Sequence, residues 1–219
     1  MIGGGSWGTS VASLMSRNAD VILWARSSET VTEINQSQRN SRYLADLALH
    51  PNLKATTDLG QAVKGADAVI MGVPSNSFRE VLINVVGDLK PDAPVISLTK
   101  GLERGSRLRM TQICRELAPH HAAGVLTGPN LAREIMAGQA AASVLALDEV
   151  CERLLHGGPR GGAGRGVVYI DGLEHGQHAA VQRKSESLAA GVGDLGMREV
   201  ELCERLEHLS LLLLLWQEE

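Results

Sequence analysis

The segment Met1-Ile2-Gly3-Gly4-Gly5-Ser6-Trp7-Gly8-Thr9 decides the fold of this 219-residue chain. Gly3, Gly5 and Gly8 have the spacing G-x-G-x-x-G. The first glycine of such a motif permits a tight turn, the second lets the backbone approach a pyrophosphate, and the third allows close packing of helix on strand. A helix that begins near Ser6 and Trp7 directs free N–H groups toward the phosphates. The motif therefore predicts a dinucleotide-binding loop, with a tight surface turn as the alternative.

Short apolar runs alternate with amphipathic stretches over the first 148 residues. The runs predict strands at 21–25, 54–57, 66–73, 93–98, 122–126 and 140–147. The amphipathic stretches predict helices at 7–17, 29–36, 59–64, 77–86, 107–117 and 131–136, with N-caps at Ser28, Asp58, Asn76 and Asn130. This alternation predicts an α/β fold, a Rossmann-like, doubly wound and mostly parallel sheet with helices on both faces.

Only Met1 and Ile2 precede the glycine loop. A first strand of this fold needs about five residues to reach the centre of the sheet. We therefore expect an N-terminus that is clipped or that starts at the wrong methionine.

The chain changes character near residue 156. Residues 157–176 hold eight glycines, and such a stretch loses much conformational entropy on ordering while it buries few side chains. Residues 177–219 have a helical composition without a consistent pattern. The sequence thus predicts a dinucleotide-binding domain at 1–155, followed at 156–219 by a Gly-rich linker and an irregular, helical tail.

Composition excludes several functional classes. A net charge of −4 gives no support to nucleic-acid binding, and the apolar run at 209–216 is far shorter than the ~20 residues of a membrane span. Three cysteines in a chain of this length suggest a reduced, cytoplasmic setting. His175 and His178 could share a helical face, but no cysteine or carboxylate cluster accompanies them, so no metal site is predicted.

The end of the second predicted strand bears on the choice of dinucleotide. An NAD-specific site places a carboxylate there, whereas this chain has Trp24-Ala25-Arg26-Ser27. The Arg26 guanidinium can pair with a 2′-phosphate. Arg26 therefore favours NADP, or tolerance of both NAD and NADP, unless it is simply a solvated surface arginine.

Two further residues follow predicted strands at the edge where open α/β sheets bind ligands. Lys100 comes after the strand at 93–98, and Pro74 after the strand at 66–73. A lysine can stabilise a developing alkoxide and deliver a proton to it. The alternatives are a loop lysine and a proline that only ends its strand.

Several motifs, in order along the chain, resemble the NAD(P)-dependent glycerol-3-phosphate dehydrogenases. They lie at 3–9, 23–26, 35–44, 54–59, 73–75, 99–103 and 128–134. The resemblance covers about two thirds of the chain and corresponds only to the cofactor domain of that family. It implies reversible hydride transfer between NAD(P)H and dihydroxyacetone phosphate, which gives sn-glycerol 3-phosphate, a precursor of glycerophospholipids.

The resemblance also implies roles for individual residues. The expected cofactor contacts, including the motif glycines, are Gly3, Gly5, Ser6, Trp7, Gly8, Arg26, Pro74, Lys100 and Ala132. The expected substrate contacts are Lys100, Gly128 and Asn130, and Asn130 stands where the family usually has Ser or Thr. Lys100 is the main candidate for catalysis.

The second half of the family's pattern is missing from this sequence. The general acid–base lysine of that family lies in a stretch like E-L-x-G-A-L-K-N, followed by an Asn-Thr-Arg run, and neither occurs here. Lys184 is the nearest, weak candidate for that lysine. The simplest explanation is a reading frame that departs from the family near residue 156 and leaves a non-homologous tail.

Three hypotheses follow. The first is a glycerol-3-phosphate dehydrogenase, impaired by loss of its substrate domain, and the second is a dinucleotide-binding module without turnover; a homo-oligomer is possible for either. The third is another oxidoreductase, ketopantoate reductase-like or hydroxyacyl-CoA dehydrogenase-like. The Thr-Lys-Gly and Gly-Pro-Asn motifs speak against the third.

Overall fold

The computed structural model describes residues 1–139, 142–147 and 167–171. The α-helices of this part are α1 (Ser6–Met15), α2 (Ser28–Ser37), α3 (Ser41–Leu44), α4 (Leu59–Val63), α5 (Ser75–Ile83), α6 (Met110–Leu117) and α7 (Ala132–Met136). A 3₁₀ turn spans Val86–Asp88. The strands are β1 (Ile22–Trp24), β2 (Lys54–Thr56), β3 (Val69–Met71), β4 (Val95–Ser97), β5 (Ala123–Thr127), β6 (Ala142–Leu147) and β7 (Val167–Asp171).

Ile2 joins two groups of parallel strands into one sheet. β1 pairs with β2, and β3, β4 and β5 pair in sequence order, all in parallel. Ile2 forms parallel bridges to Trp24 of β1 and Met71 of β3. Its N–H donates to the Ile70 carbonyl at 2.8 Å, and its carbonyl accepts from the Gly72 N–H at 2.7 Å. The residues before the glycine loop therefore lie at the centre of the sheet, and the predicted α/β, Rossmann-like fold is confirmed.

Two strands extend this sheet in the antiparallel sense. β6 pairs antiparallel with β5, and β7 pairs antiparallel with β6. β7 lies inside the stretch predicted as a flexible linker, so that prediction is wrong for residues 167–171. The run Val-Val-Tyr-Ile has strong β propensity. The prediction was based on the many glycines around this run and did not take its β propensity into account.

Two helices begin at aspartate or serine caps. The Asp58 carboxylate accepts from the Gln61 N–H at 2.9 Å, which confirms the predicted cap of α4. For α2 the cap is Ser27, whose hydroxyl oxygen accepts from the Thr30 N–H at 3.2 Å, rather than the predicted Ser28. The correction moves the start of α2 to Ser28.

The other two predicted caps are wrong. Pro74 rather than Asn76 precedes α5, and Leu131 rather than Asn130 precedes α7. Pro74 has a φ of −56° and ψ of 147°, an extended geometry that carries the chain from the strand edge into the helix. The short α3 was not predicted, because four residues carry no helical periodicity.

Side chains alternate between two apolar clusters, one on each face of the sheet. Ile70 and Ile96 belong to the cluster that includes Val11 and Met15 of α1. Their strand neighbours Val69, Met71 and Val95 face a second cluster with residues of α5 and α6, including Phe78, Leu82 and Ile113. Helices thus cover both faces, and the carboxyl edge of the sheet is left to form a site.

Candidate functional site

The glycine loop is a close-packed turn between the first strand position and α1. Gly3 has a φ of +120°, and a β-carbon there would lie 2.6 Å from the Gly72 carbonyl oxygen. A β-carbon on Gly8 would overlap the Gly3 carbonyl oxygen, and one on Gly4 would lie 2.6 Å from the Ala25 β-carbon. Only Gly5 differs within this loop, since a β-carbon there meets open space. The backbone is therefore packed on the protein side and accessible at Gly5.

The amino end of α1 opens onto a cleft of about 700 Å³. Gly5 is its N-cap and offers no side-chain hydrogen bond to the first turn. Gly5, Ser6 and Trp7 all line the cleft. The first N–H groups of a helix have no acceptor within the helix and carry its positive dipole end, so this wall of the cleft suits an anion.

The carboxyl end of β1 forms a second wall with arginine side chains. Arg26 is exposed and lines the cleft, next to Trp24, whose indole N–H donates to the Thr57 carbonyl at 3.0 Å. Arg42 and Tyr43 line the same cleft, and the Arg42 guanidinium lies 5.5 Å from the centre of the Tyr43 ring. Two cations and two aromatic rings therefore meet at this end, where an adenosine and its phosphates would find both stacking and charge.

The third wall comes from the ends of β3 and β4. The Thr99 hydroxyl donates to the Val73 carbonyl at 2.6 Å, which ties the loop after β4 to the loop after β3. Pro74 and the exposed Lys100 line the cleft beside this link. Gly101 follows with a φ of +100°, a left-handed conformation that favours glycine at this turn.

An ion pair braces the loop that carries Lys100. The Arg79 guanidinium on α5 donates to both carboxylate oxygens of Glu103, at 2.7 and 3.0 Å, and also to Glu116 of α6 at 2.8 Å. The hydrogen bond from Arg79, followed by one from Ser106, holds the pKa of the Glu103 carboxyl below its ordinary value. Lys100 thus stands on a loop fixed to two helices.

Comparison with known proteins identifies the family. Residues 1–151 match the family model described as NAD-dependent glycerol-3-phosphate dehydrogenase N-terminus. The chain belongs to this dehydrogenase family. The match also decides against the ketopantoate reductase-like and hydroxyacyl-CoA dehydrogenase-like alternatives.

Individual glycerol-3-phosphate dehydrogenases show the same likeness. The chain is 50% identical over 199 residues to glycerol-3-phosphate dehydrogenase (NAD(P)+) 2 of Sphingopyxis alaskensis, covering 89% of this chain and 58% of the relative. It is 52% identical over 150 residues to the enzyme of Mycobacterium avium, covering 68% of this chain and 44% of the relative. The crystal structure of the Coxiella burnetii enzyme superposes with a TM-score of 0.63 at 31% identity, covering 70% of this chain and 48% of that one. The chain spans about half the length of the relatives that it matches.

The Sphingopyxis alignment also bears on the tail. It covers more of the chain than residues 1–155 can supply, so it reaches into the segment at 156–219. This relative therefore does not support the expected end of the resemblance near residue 156. Apart from the correction at β7, the division into a domain at 1–155 and a linker with a tail at 156–219 stays a prediction.

The structure brings most of the dehydrogenase motif residues together, but not all of them. The predicted contacts that line the cleft are Gly3, Gly5, Ser6, Trp7, Arg26, Pro74 and Lys100. Those outside its lining are Gly8, Gly128, Asn130 and Ala132. Lys184 lies outside the described residues. Arg42 and Tyr43 were missed as contacts, although the motif at 35–44 contains them.

Asn130 makes a different contact from the one expected. Its side-chain nitrogen donates to the Ser143 hydroxyl on β6, and its Oδ1 atom is buried without a hydrogen-bond partner in the described part of the chain. Asn130 therefore links the loop after β5 to β6 here, and a substrate contact for it stays a prediction.

The residues present fit a dinucleotide. The open space above Gly5, the uncapped start of α1, and Arg26 with Arg42 provide room, N–H donors and positive charge in one cleft. Within the described residues, no three His, Cys, Asp or Glu side chains meet in a way that could hold a metal ion. In the same part of the chain, no helix has the length and apolar character needed to cross a membrane.

Proposed function

We propose that this chain supplies the cofactor site of a glycerol-3-phosphate dehydrogenase, which interconverts dihydroxyacetone phosphate and sn-glycerol 3-phosphate with NAD(P)H. The observation that carries the proposal is the shared cleft, which joins the uncapped start of α1, Arg26 and Lys100 at one edge of the sheet. The names of the relatives support the reaction. A cytoplasmic location is part of the proposal and rests on the three cysteines of the chain.

The positions of the walls divide the cleft between the parts of the cofactor. The N–H groups of Ser6 and Trp7 hold the pyrophosphate, because they are free donors at the positive end of α1. Arg26 holds the ribose phosphate at the adenosine end. Pro74 and Lys100 then lie at the nicotinamide end, since they stand across the glycine loop from β1.

Lys100 orients the substrate at that end. A bound nicotinamide supplies the hydride to the substrate carbonyl, or accepts it in the reverse direction. The Lys100 ammonium donates hydrogen bonds to the substrate oxygens and stabilises the negative charge that develops there. Its loop is held by the Arg79–Glu103 ion pair and by the Thr99 hydroxyl, so the backbone that carries Lys100 is fixed beside the cleft.

A dinucleotide-binding module without turnover is the second candidate. One observation supports this second candidate: Gly128 and Asn130, the other predicted substrate contacts, lie outside the cleft lining. The motifs E-L-x-G-A-L-K-N and Asn-Thr-Arg are also missing from the sequence. On this basis we expect the 219-residue chain to bind dinucleotide weakly and to show little or no reductase activity.

One assay separates the two candidates. The oxidation of NADPH is followed with and without dihydroxyacetone phosphate, for the wild type, for Lys100→Ala and for the control Lys64→Ala, a lysine outside the cleft lining. Turnover that Lys100→Ala removes and Lys64→Ala keeps supports the dehydrogenase. NADPH binding, measured by titration of the same proteins, without turnover supports the binding module. A chain that does neither contradicts both.

A further inference from the structure

Asn40 is a fully buried polar residue that contacts the glycine loop but is not part of the G-x-G-x-x-G motif. None of its surface is exposed. Its Nδ2 group donates to the Gly4 carbonyl at 3.1 Å and to the Thr9 hydroxyl oxygen of α1 at 2.9 Å. Because a carbonyl oxygen can only accept, the nitrogen of the amide must face Gly4, which fixes the orientation of the side chain. Asn40 is thus bonded to both the loop and the helix that follows it.

The backbone of Asn40 carries a different part of the cleft. Its carbonyl accepts from the N–H groups of Tyr43 at 3.1 Å and Leu44 at 2.9 Å, which closes the single turn of α3. Arg42 and Tyr43, which line the adenosine end of the cleft, stand on that turn. One residue therefore connects the arginine wall to the glycine loop.

Gly4 is held from both sides. Its carbonyl is bonded to Asn40, while its Cα packs so closely on Ala25 that a β-carbon would lie 2.6 Å from the Ala25 β-carbon. Gly4 stands between Gly3 and Gly5, whose backbone forms the surface offered to phosphate. Loss of the Asn40 amide would remove this donor from the Gly4 carbonyl and release this surface on one side.

We propose that Asn40 is a positioning residue for the pyrophosphate: its amide sets the conformation of the glycine loop in which the N–H groups at the start of α1 converge on the phosphates. This inference rests on the proposed dinucleotide function. Asn40 contacts neither the ligand nor the reacting atoms, and it acts on the site through Gly4.

The experiment compares two probes that differ in the pyrophosphate. NADP+ contains it, whereas adenosine 2′-monophosphate engages only the arginine end of the cleft. Dissociation constants for both are measured on the 219-residue chain, for the wild type, Asn40→Ala, Asn40→Leu and Asn35→Ala. Asn40→Leu keeps approximately the volume of the side chain and removes its hydrogen bonds without adding a charge near the phosphates. It therefore serves if the cavity left by alanine prevents folding.

Asn35 is the control, an exposed asparagine that also makes two side-chain hydrogen bonds. It donates to the Ala55 carbonyl at 2.9 Å and accepts from the Ala55 N–H at 2.8 Å. These bonds hold α2 to β2 and do not touch the glycine loop. A change at Asn35 thus reports the loss of an amide that joins two elements away from the glycine loop.

We expect both Asn40 variants to bind NADP+ about tenfold more weakly or worse, while their affinity for adenosine 2′-monophosphate changes by less than about threefold. Asn35→Ala should leave the ratio of the two affinities at the wild-type value. Equal losses for the two probes at Asn40, or wild-type NADP+ affinity in Asn40→Leu, would overturn the inference and leave the proposed function standing. A wild type that binds no NADP+ would overturn the proposed function as well.

Discussion

Gly8 on the first turn of α1 stands directly against the carbonyl oxygen of Gly3, with no room for a β-carbon between them. This contact explains why the third glycine of the motif does not line the cleft although it belongs to the loop. Gly8 allows α1 to begin close to the first strand position, whereas Gly5 is the loop glycine with open space for a ligand.

Gly8→Ala should therefore mainly reduce stability, whereas Gly5→Ala should mainly reduce cofactor affinity. We expect Gly8→Ala to lower the free energy of unfolding by about 3 kcal/mol, the upper end of ordinary overpacking, because a backbone oxygen cannot move aside as a side chain can. Gly5→Ala should lower stability by less than about 1 kcal/mol, because its β-carbon meets open space and only the poorer N-cap preference of alanine remains. Its methyl group should nevertheless weaken NADPH binding about tenfold by keeping phosphate from the N–H groups. Urea denaturation and NADPH titration of both variants measure this, and equal stability losses would contradict the packing.

Arg26→Ala should change the choice between the two dinucleotides. The guanidinium is placed to pair with a 2′-phosphate, which NADPH has and NADH lacks. We expect NADPH affinity to fall about 10- to 100-fold and NADH affinity to fall much less. The control Arg104→Ala removes an exposed arginine outside the cleft lining. A parallel loss for both dinucleotides in Arg26→Ala would show that Arg26 does not read the 2′-phosphate.

Glu103→Gln should change the acid side of the stability profile. Arg79 and Ser106 hold the pKa of Glu103 below its ordinary value of 4.5. A carboxyl whose pKa is lowered by folding stabilises the fold above its unfolded-state pKa, and this contribution is lost as the pH falls through the folded-state pKa. The melting temperature of the wild type should thus exceed that of Glu103→Gln at pH 7, and the difference should shrink as the pH falls below 4.5. A difference that stays constant across this range would contradict the ion pair.

Asp58→Ala should cost stability without affecting the cofactor site. Its carboxylate caps α4 through the Gln61 N–H, so its loss should lower the free energy of unfolding by about 0.5–2 kcal/mol. Asp58→Asn keeps a capping oxygen and should stay close to the wild type. Denaturation of the three proteins tests the cap, and similar losses in both variants would show that the charge of Asp58 matters rather than its hydrogen bond.

The sequence was informative wherever a local rule was strong. The glycine spacing predicted the loop between the sheet centre and α1, and the alternation of apolar runs predicted the parallel strands. Asp58 was recognisable as a cap because the helix after it has a clear start. The cap of α2 could not be assigned to Ser27 from the sequence, because the adjacent Ser28 satisfies the same rule. Only the hydrogen bond from the Thr30 N–H to the Ser27 hydroxyl oxygen distinguishes the two serines.

Contacts between distant parts of the chain were beyond sequence reasoning. Nothing local predicts that the Asn40 amide reaches Gly4, 36 positions away, or that Asn130 donates to Ser143 on an antiparallel strand. β7 was missed because its pairing with β6 overrides the glycine-rich composition around it. Arg42 and Tyr43 had a signal in the motif at 35–44, but their position in the cleft follows only from the fold.

The central claim is that the glycine loop, Arg26 and Lys100 line one dinucleotide site. Trp7 and Trp24 line the same cleft, so energy transfer from tryptophan to the nicotinamide of NADPH reports binding there. The account predicts energy transfer that saturates with NADPH and that added NADP+ abolishes by competition. In Trp24→Phe the amplitude of the transfer should be smaller, while NADPH still binds. No saturable transfer, or transfer that Gly5→Ala and Arg26→Ala leave unchanged, would contradict it.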